Sequence, residues 1–144
     1  MGFQTDQISN SPEETLNLGK LLAGHLSGGS VVALRGGLGS GKTCFTKGIA
    51  LGLGILENIT SPTFTIINEY QSSPVLYHID AYRLQSDKDF EEIGGPEILG
   101  GNGICIIEWS ERILKSLPQE AISVSFEITG AQSRKIIING LKIL

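Results

Sequence analysis

Helical spacing of apolar residues is clearest near the N-terminus of the chain. Ser11 is a candidate N-cap, Pro12 follows in the first turn, and Glu14 is placed to close a capping box. Apolar side chains then recur at the three- to four-residue spacing of a helix, at Leu18, Leu21, Leu22 and Leu26. Because glycine is favoured just beyond a helix C-terminus, we expect this helix to end at Gly28-Gly29.

Strand patterns occupy much of the rest of the chain. Residues 31–34 and 104–107 are continuously apolar, which is typical of central strands that are covered on both faces. Residues 122–128 alternate apolar and polar, and residues 135–139 can pair back through a Thr129-Gly130 turn. The pattern therefore predicts buried central strands and a C-terminal antiparallel β-hairpin.

The middle of the chain mixes both patterns. The predicted elements are strands at 64–70 and 75–79 joined as a hairpin, a short helix at 87–93, a loose glycine-bearing segment at 94–103, and a helix at 110–117. Together with the first helix, this alternation predicts an α/β fold with a mixed, mostly parallel sheet flanked by helices.

Composition and charge limit the classes of protein to which the chain can belong. The 144 residues fit a single domain, and we expect residues 1–144 to form one. The net charge is −4 and Lys and Arg form no run, which disfavours direct binding to RNA. The two cysteines, Cys44 and Cys105, form no Cys-x-x-Cys pair, and we expect both to be reduced, buried and inert. The sequence has neither an apolar membrane span nor a signal peptide pattern, so we expect a cytoplasmic protein.

The most informative motif is a glycine-rich loop that follows the first buried strand and precedes a helical pattern at 44–51. It matches the phosphate-loop pattern of a glycine, any four residues and Gly-Lys-Ser/Thr, and it reads Gly36-Gly37-Leu38-Gly39-Ser40-Gly41-Lys42-Thr43. In such loops the backbone N–H groups surround phosphates, the lysine meets the β- and γ-phosphates, and the hydroxyl ligates Mg²⁺. The loop therefore predicts binding of a nucleoside triphosphate, as in P-loop NTPases.

Two acidic residues stand where such a site needs them, at the carboxyl ends of predicted strands. Asp80 follows the strand at 75–79, and Glu108 follows the strand at 104–107. Carboxylates there can hold Mg²⁺ or direct an attacking water. Spacing alone does not decide which does which, although Glu108 is the better candidate for the metal because its strand has the more central character.

Other polar residues are open to more than one interpretation. The hydroxyl-rich loop at 60–64 is either a switch that senses the γ-phosphate or an ordinary turn. His78 shares a strand face with Asp80, but without a third ligand it is more simply structural or supports a neighbouring ligand. Arg83 is better suited to a partner contact or an ion pair than to catalysis. Trp109 either lies near the nucleotide or is an ordinary core residue.

Four motifs in this order give the chain a more specific resemblance. The phosphate loop is followed by Ser61-Pro62-Thr63-Phe64, by His78-x-Asp80-x-Tyr82-Arg83-Leu84 and by Glu108-Trp109. This combination resembles the bacterial TsaE (YjeE) family, the ATPase subunit of the tRNA threonylcarbamoyladenosine machinery. The resemblance implies ATP binding and slow hydrolysis in support of a TsaD–TsaB pair that modifies adenosine 37 of tRNA. It also implies that the subunit is not itself the carbamoyl transferase. Because the chain is acidic and has no basic stripe, we expect it to meet tRNA only through the complex.

The resemblance also implies roles for individual residues. Asp80 and Glu108 match the family's functional acids, Thr63 its switch-like loop, and Trp109 a tryptophan near the nucleotide. The expected catalytic residues are Lys42, Asp80 and Glu108, and the expected magnesium ligands are Thr43, Glu108 and Asp80. The expected nucleotide contacts are Gly36, Gly37, Leu38, Gly39, Ser40, Gly41, Lys42, Thr43, Cys44, Thr63, Trp109 and Arg134.

Three positions depart from the family pattern. Gly37 stands in place of a usual aspartate, Ser110 in place of a usual proline, and the segment that ends at Arg134 only loosely matches a Gly-Arg pair.

Two rival functions use the same phosphate loop. One is a small-molecule phosphotransferase, although no arginine-bearing lid is evident, and the other is an interaction module in which ATP only stabilises a binding-competent state.

Overall fold

The computed structural model describes residues 2–60 and 66–142, which include seven strands that form one sheet. The strands are β1 (Gly2–Ser9), β2 (Val31–Arg35), β3 (Ile67–Tyr70), β4 (Leu76–Asp80), β5 (Ile104–Glu108), β6 (Ile122–Ile128) and β7 (Arg134–Lys142). The helices are α1 (Pro12–Ala23), α2 (Lys42–Gly52), α3 (Asp87–Glu92) and α4 (Gly95–Leu99), with a 3₁₀ segment over Ser110–Ser116. No helix in these described parts has the length and apolar content needed to cross a membrane.

The sheet is mixed, as predicted, with parallel strands at its centre. Its order is β1-β7-β6-β2-β5-β4-β3, and β6, β2, β5 and β4 run parallel to one another. β3 pairs antiparallel with β4, while β7 pairs antiparallel with both β6 and β1. The predicted hairpins are therefore confirmed, and the carboxyl ends of β2, β5 and β4 lie side by side at one edge.

The central strands are covered on both faces, as their continuous apolar patterns predicted. Every residue of β5 is buried. Val32, Leu34 and Ile106 pack towards α1 and α2, whereas their chain neighbours Val31 and Ile107 belong to the cluster on the opposite face. This alternation follows from the two-residue repeat of a strand, and it leaves the strand ends as the places where polar side chains collect.

Two expectations about the elements are wrong in detail. Helix α1 ends at Ala23 with Gly24 as its C-cap, well before Gly28-Gly29, and Leu21 on that helix is 70% exposed. The segment at 94–103 contains α4 rather than loop alone, because Gly94 adopts φ 80 and starts a new helical turn. The predicted helix at 110–117 is confirmed as a 3₁₀ segment over Ser110–Ser116, with its helical geometry interrupted at Ile113.

One element, β1, was not predicted from the sequence. Its residues are largely polar, and Ile8 is exposed, so no alternating pattern marks it. The strand is held by its backbone pairing with β7, in which Gln4 faces Asn139 and Ser9 faces Arg134. Pairing with a segment more than a hundred residues away leaves no local signal in the sequence.

Two glycines allow α1 to lie directly against α2, the helix that begins in the phosphate loop. A Cβ at Gly48 would stand 2.0 Å from the Leu16 carbonyl oxygen, and one at Gly19 would stand 2.2 Å from the Phe45 carbonyl oxygen. Both obstacles are backbone atoms and cannot rotate away. The contact therefore anchors α2 against α1 and holds the start of α2 in position.

We expect Gly48→Ala to lower the free energy of unfolding by about 1–3 kcal/mol, because the helices must separate to admit the methyl group. Gly24→Ala is the matched control. Gly24 has right-handed helical backbone angles, and its Cβ would approach only the Leu21 carbonyl oxygen, at 3.4 Å. Urea unfolding of both variants measures the difference, and a Gly48→Ala midpoint equal to that of wild type would disprove the close contact.

Candidate functional site

The phosphate loop lies between β2 and α2, as the sequence predicted. Gly41 precedes the helix with φ 103, a backbone conformation that favours glycine, and Lys42 is the first helical residue. A Cβ at Gly36 would stand 2.9 Å from the Phe126 carbonyl oxygen of β6. The loop is thus packed against the sheet on one side, and the N-terminus of α2 is left at the carboxyl edge of the sheet, where it favours an anion.

Lys42 is only 5% exposed and its ammonium group has two partners within the chain. Nζ donates to the Gly36 carbonyl oxygen at 2.7 Å and lies 3.6 Å from the centre of the Trp109 ring. Burial lowers the pKa of Lys42, and the negative charges of Glu108, Glu111 and Asp80 partly oppose this shift. The site therefore holds a buried cation at the start of α2.

Glu108 lies at the carboxyl end of β5, next to β2, and is 4% exposed. The Thr43 hydroxyl donates to its Oε1 over 3.5 Å, and its Oε2 is 2.5 Å from Nε2 of His78. Because Thr43 stands in the first turn of α2, these contacts join the phosphate loop to the neighbouring strand. One carboxylate oxygen thus faces the loop and the other is held by a buried ring.

Asp80 lies beside Glu108, since the two residues are register partners on β4 and β5. Its Oδ1 accepts a hydrogen bond from the Tyr82 backbone N–H at 3.0 Å. Burial raises the pKa of Asp80, the Tyr82 N–H opposes the shift, and the neighbouring charge of Glu108 adds to it. The two predicted acids are therefore brought together at one edge of the sheet, with different partners.

Trp109 follows Glu108 and turns its ring towards Lys42. It has φ 58, a left-handed conformation that costs a non-glycine residue about 1–2 kcal/mol. Its ring centre lies 4.9 Å from that of Tyr82, and the Arg112 guanidinium lies 5.2 Å from the centre of the Tyr82 ring. Strained backbone held by its surroundings is often found at functional sites.

These side chains line one cleft of about 460 Å³ at the carboxyl edge of the sheet. Its lining residues are Leu38, Gly39, Ser40, Gly41, Lys42, Thr43, Cys44, Asp80, Tyr82, Glu108 and Trp109. Most of the residues expected at a nucleotide site are thus brought together. Gly36, Gly37 and Arg134 are not among the lining residues, and Thr63 falls outside the described residues.

Arg134 supports the loop from behind. Its guanidinium donates to the Gly39 carbonyl oxygen at 2.9 Å, and also to the carbonyl oxygens of Gly130 and Ser133. This arrangement links the β6–β7 turn to the middle of the phosphate loop. In this structure the side chain therefore binds loop backbone, where the sequence predicted a nucleotide contact.

Cys44 is half-buried rather than fully buried, and its thiol donates to the Pro12 carbonyl oxygen at 3.0 Å. Burial raises the pKa of the Cys44 thiol, with a smaller opposing effect from Lys47. Cys105 is fully buried, and burial raises its pKa to about 11. Both are free thiols, as expected, and their raised pKa values disfavour the reactive thiolate.

A larger cleft of about 630 Å³ lies near Gly28, Gly100 and Gly140, away from the phosphate loop. Its only ionisable lining residues among those described are His25 and Glu120, so it offers no lysine or arginine to a phosphate. Within the described residues there is also no group of three His, Cys, Asp or Glu side chains able to hold a metal. A magnesium ion in a nucleotide site needs fewer protein ligands, because phosphates and water supply the rest.

Tyr82 and His78 are the site residues whose roles the sequence did not specify. Tyr82 lines the cleft and packs against Trp109. In the sequence it is only one residue of a short motif, which did not indicate a place at the cleft. His78 was expected to be structural or to support a neighbouring ligand, and the structure places its Nε2 against Oε2 of Glu108. The alternation of β4, which points His78 and Asp80 to one face, was the available signal.

Comparison with known proteins agrees with this geometry. The family model described as "Threonylcarbamoyl adenosine biosynthesis protein TsaE" matches residues 9–136. The chain is 46% identical over 131 residues to the tRNA threonylcarbamoyladenosine biosynthesis protein TsaE of Treponema pallidum, covering 91% of this chain and 97% of that protein. The protein of the same name from Bacillus subtilis is 44% identical over 127 residues, covering 88% of this chain and 79% of the relative.

A solved structure is similar over nearly the whole chain. The crystal structure of Bacillus subtilis YdiB superimposes with a TM-score of 0.84 at 38% identity, covering 99% of this chain and 88% of that one. The chain belongs to the TsaE family.

Proposed function

We propose that residues 1–144 form a single P-loop NTPase domain that binds Mg·ATP and hydrolyses it slowly. One observation carries the proposal: a phosphate loop, a buried lysine and two carboxylates line the same cleft. Lys42 supplies positive charge for the β- and γ-phosphates, and the N–H groups at the start of α2 surround them. Bound Mg²⁺ would supply further charge neutralisation, with Thr43 and Glu108 as the residues best placed to hold it.

The proposed biological role is support of threonylcarbamoyl modification of tRNA, as the names of the relatives suggest. In this proposal the chain acts in the cytoplasm with TsaD and TsaB and is not itself the carbamoyl transferase. The cleft of this chain offers ATP a phosphate site. The net charge of the chain is −4 and its Lys and Arg form no run, which disfavours direct binding to tRNA. The tRNA would therefore be met through the partners.

Phosphate release tests this proposal against its rivals. We expect slow ATP hydrolysis by the isolated chain, faster hydrolysis when TsaD and TsaB are added, and no phosphorylated product from a panel of small-molecule acceptors. A phosphorylated acceptor would instead identify a phosphotransferase. Complex formation and tRNA modification at full level with a non-hydrolysable ATP analogue would identify an interaction module.

A gel-shift with labelled tRNA tests the indirect contact. We expect the isolated chain not to retard tRNA at micromolar concentration, whereas the ATP-loaded complex with TsaD and TsaB should do so. Sub-micromolar, salt-sensitive binding by the isolated chain would contradict the proposed partner arrangement. Such binding requires clustered positive charge, whereas the chain has a net charge of −4 and no run of Lys and Arg.

A further inference from the structure

His78 is a buried polar residue whose side chain makes one hydrogen bond among the described residues. It lies on β4, two residues before Asp80, and is 0% exposed. Its Nε2 lies 2.5 Å from Oε2 of Glu108, while its Nδ1 is buried and has no hydrogen-bond partner among the described residues. Within the described part of the site, the hydrogen bond of this ring is therefore to Glu108.

The contact indicates where the ring carries its proton. A carboxylate oxygen only accepts hydrogen bonds, so Nε2 is the donor to Glu108. A proton on Nδ1 would leave a buried N–H without a partner among the described residues, and such orphaned donors are rare in folded proteins. The geometry therefore favours the tautomer with hydrogen on Nε2.

The hydrogen bond also limits the carboxylate of Glu108. The terminal torsion of a glutamate has broad preferences and is not restricted by its own rotamer. Here Oε2 is hydrogen-bonded to a fully buried ring, and Oε1 lies on the side of Thr43. One oxygen is thereby kept available to the phosphate loop.

We propose that His78 is a positioning residue that orients Glu108 for the phosphate site. The Nε2–H group holds Oε2, so that Oε1 faces Thr43 and the N-terminus of α2. The role rests on the proposed function insofar as it concerns Mg·ATP. Partners that orient a metal-binding carboxylate are often nearly as important as the ligand itself, and their loss typically costs about 10- to 100-fold in metal affinity or activity.

Two amide variants separate positioning from a purely structural role. In His78→Gln the side-chain nitrogen is three bonds from Cβ, as Nε2 is in histidine, so the donor to Glu108 is retained. In His78→Asn the nitrogen is two bonds from Cβ, as Nδ1 is, so the donor is lost. We expect His78→Asn to raise the Mg²⁺ concentration needed for half-maximal ATP hydrolysis by about 10-fold or more, and His78→Gln to stay much closer to wild type.

A measurement without nucleotide tests the hydrogen bond itself. Nitrogen-15 NMR of the wild-type ring should find the proton on Nε2 and none on Nδ1, and the His25→Gln variant, which leaves one histidine, assigns the signals. A ring without a proton on Nε2 overturns the proposal, as do two variants with equal thermal stability loss and unchanged magnesium dependence. If wild type hydrolyses no ATP, the proposed function fails, whereas the ring signals still decide whether His78 holds Glu108.

Discussion

Replacing Lys42 with alanine is expected to lower ATP turnover by about 100-fold or more and to weaken ATP binding. The ammonium is the only buried cation among the described residues that line the cleft. Its charge would act on the β- and γ-phosphates in a site shielded from water, where the loss of one such group typically costs that much. Titration calorimetry with ATP and a phosphate-release assay measure the two effects.

The matched control is Lys47→Ala, on the same helix but outside the cleft lining. It removes an equal charge and should leave ATP affinity and turnover near wild type. Because Lys42 lies over the ring of the single tryptophan, nucleotide binding should also change the Trp109 fluorescence of wild type. Equal ATP affinity and turnover in Lys42→Ala and wild type would refute the phosphate-site interpretation.

Replacing each of the two acids by its amide is expected to impair ATP hydrolysis in a different way. Glu108→Gln should raise the Mg²⁺ requirement of ATP hydrolysis, because Glu108 is the acid in contact with Thr43. Asp80→Asn should bind Mg·ATP normally but hydrolyse it at least about 10-fold more slowly, as expected of a group that acts on the attacking water. Both amides preserve side-chain shape, so the effects report charge and basicity.

Magnesium titrations of the hydrolysis rate in both variants decide this assignment. Exposed Glu91 on α3 is not among the residues lining the cleft, and Glu91→Gln is a suitable control for the loss of one negative charge. The reverse pair of phenotypes would exchange the two roles. Wild-type rates and magnesium dependence in both variants would mean that neither carboxylate acts on the nucleotide.

The part of the site that depends on local sequence was predictable. A glycine-rich loop between a buried strand and a helix has few alternatives, and Lys42 lies where that pattern implies. The apolar run at 104–107 predicted a central strand, so Glu108 could be expected near the loop. A continuous apolar run and a polar residue at its end were enough for these inferences, because each is recognised from neighbouring residues alone.

Contacts between distant segments were not predictable in the same way. The pairing of β1 with β7 depends on backbone groups that any sequence carries. The bond between His78 and Glu108 depends on the register of β4 against β5, which a single strand pattern does not define. Trp109 could be assigned to the core or to the nucleotide on sequence alone, and only its three-dimensional neighbours place its ring against Lys42.

The two contacts of Lys42 bear on how a nucleotide would leave the proposed site. The ammonium donates to the Gly36 carbonyl oxygen and lies against the face of Trp109. A nucleotide bound at the proposed site would compete with both contacts for this cation. If the chain turns over ATP as proposed, these contacts compete with the product for the same cation and thereby favour dissociation of ADP over its retention.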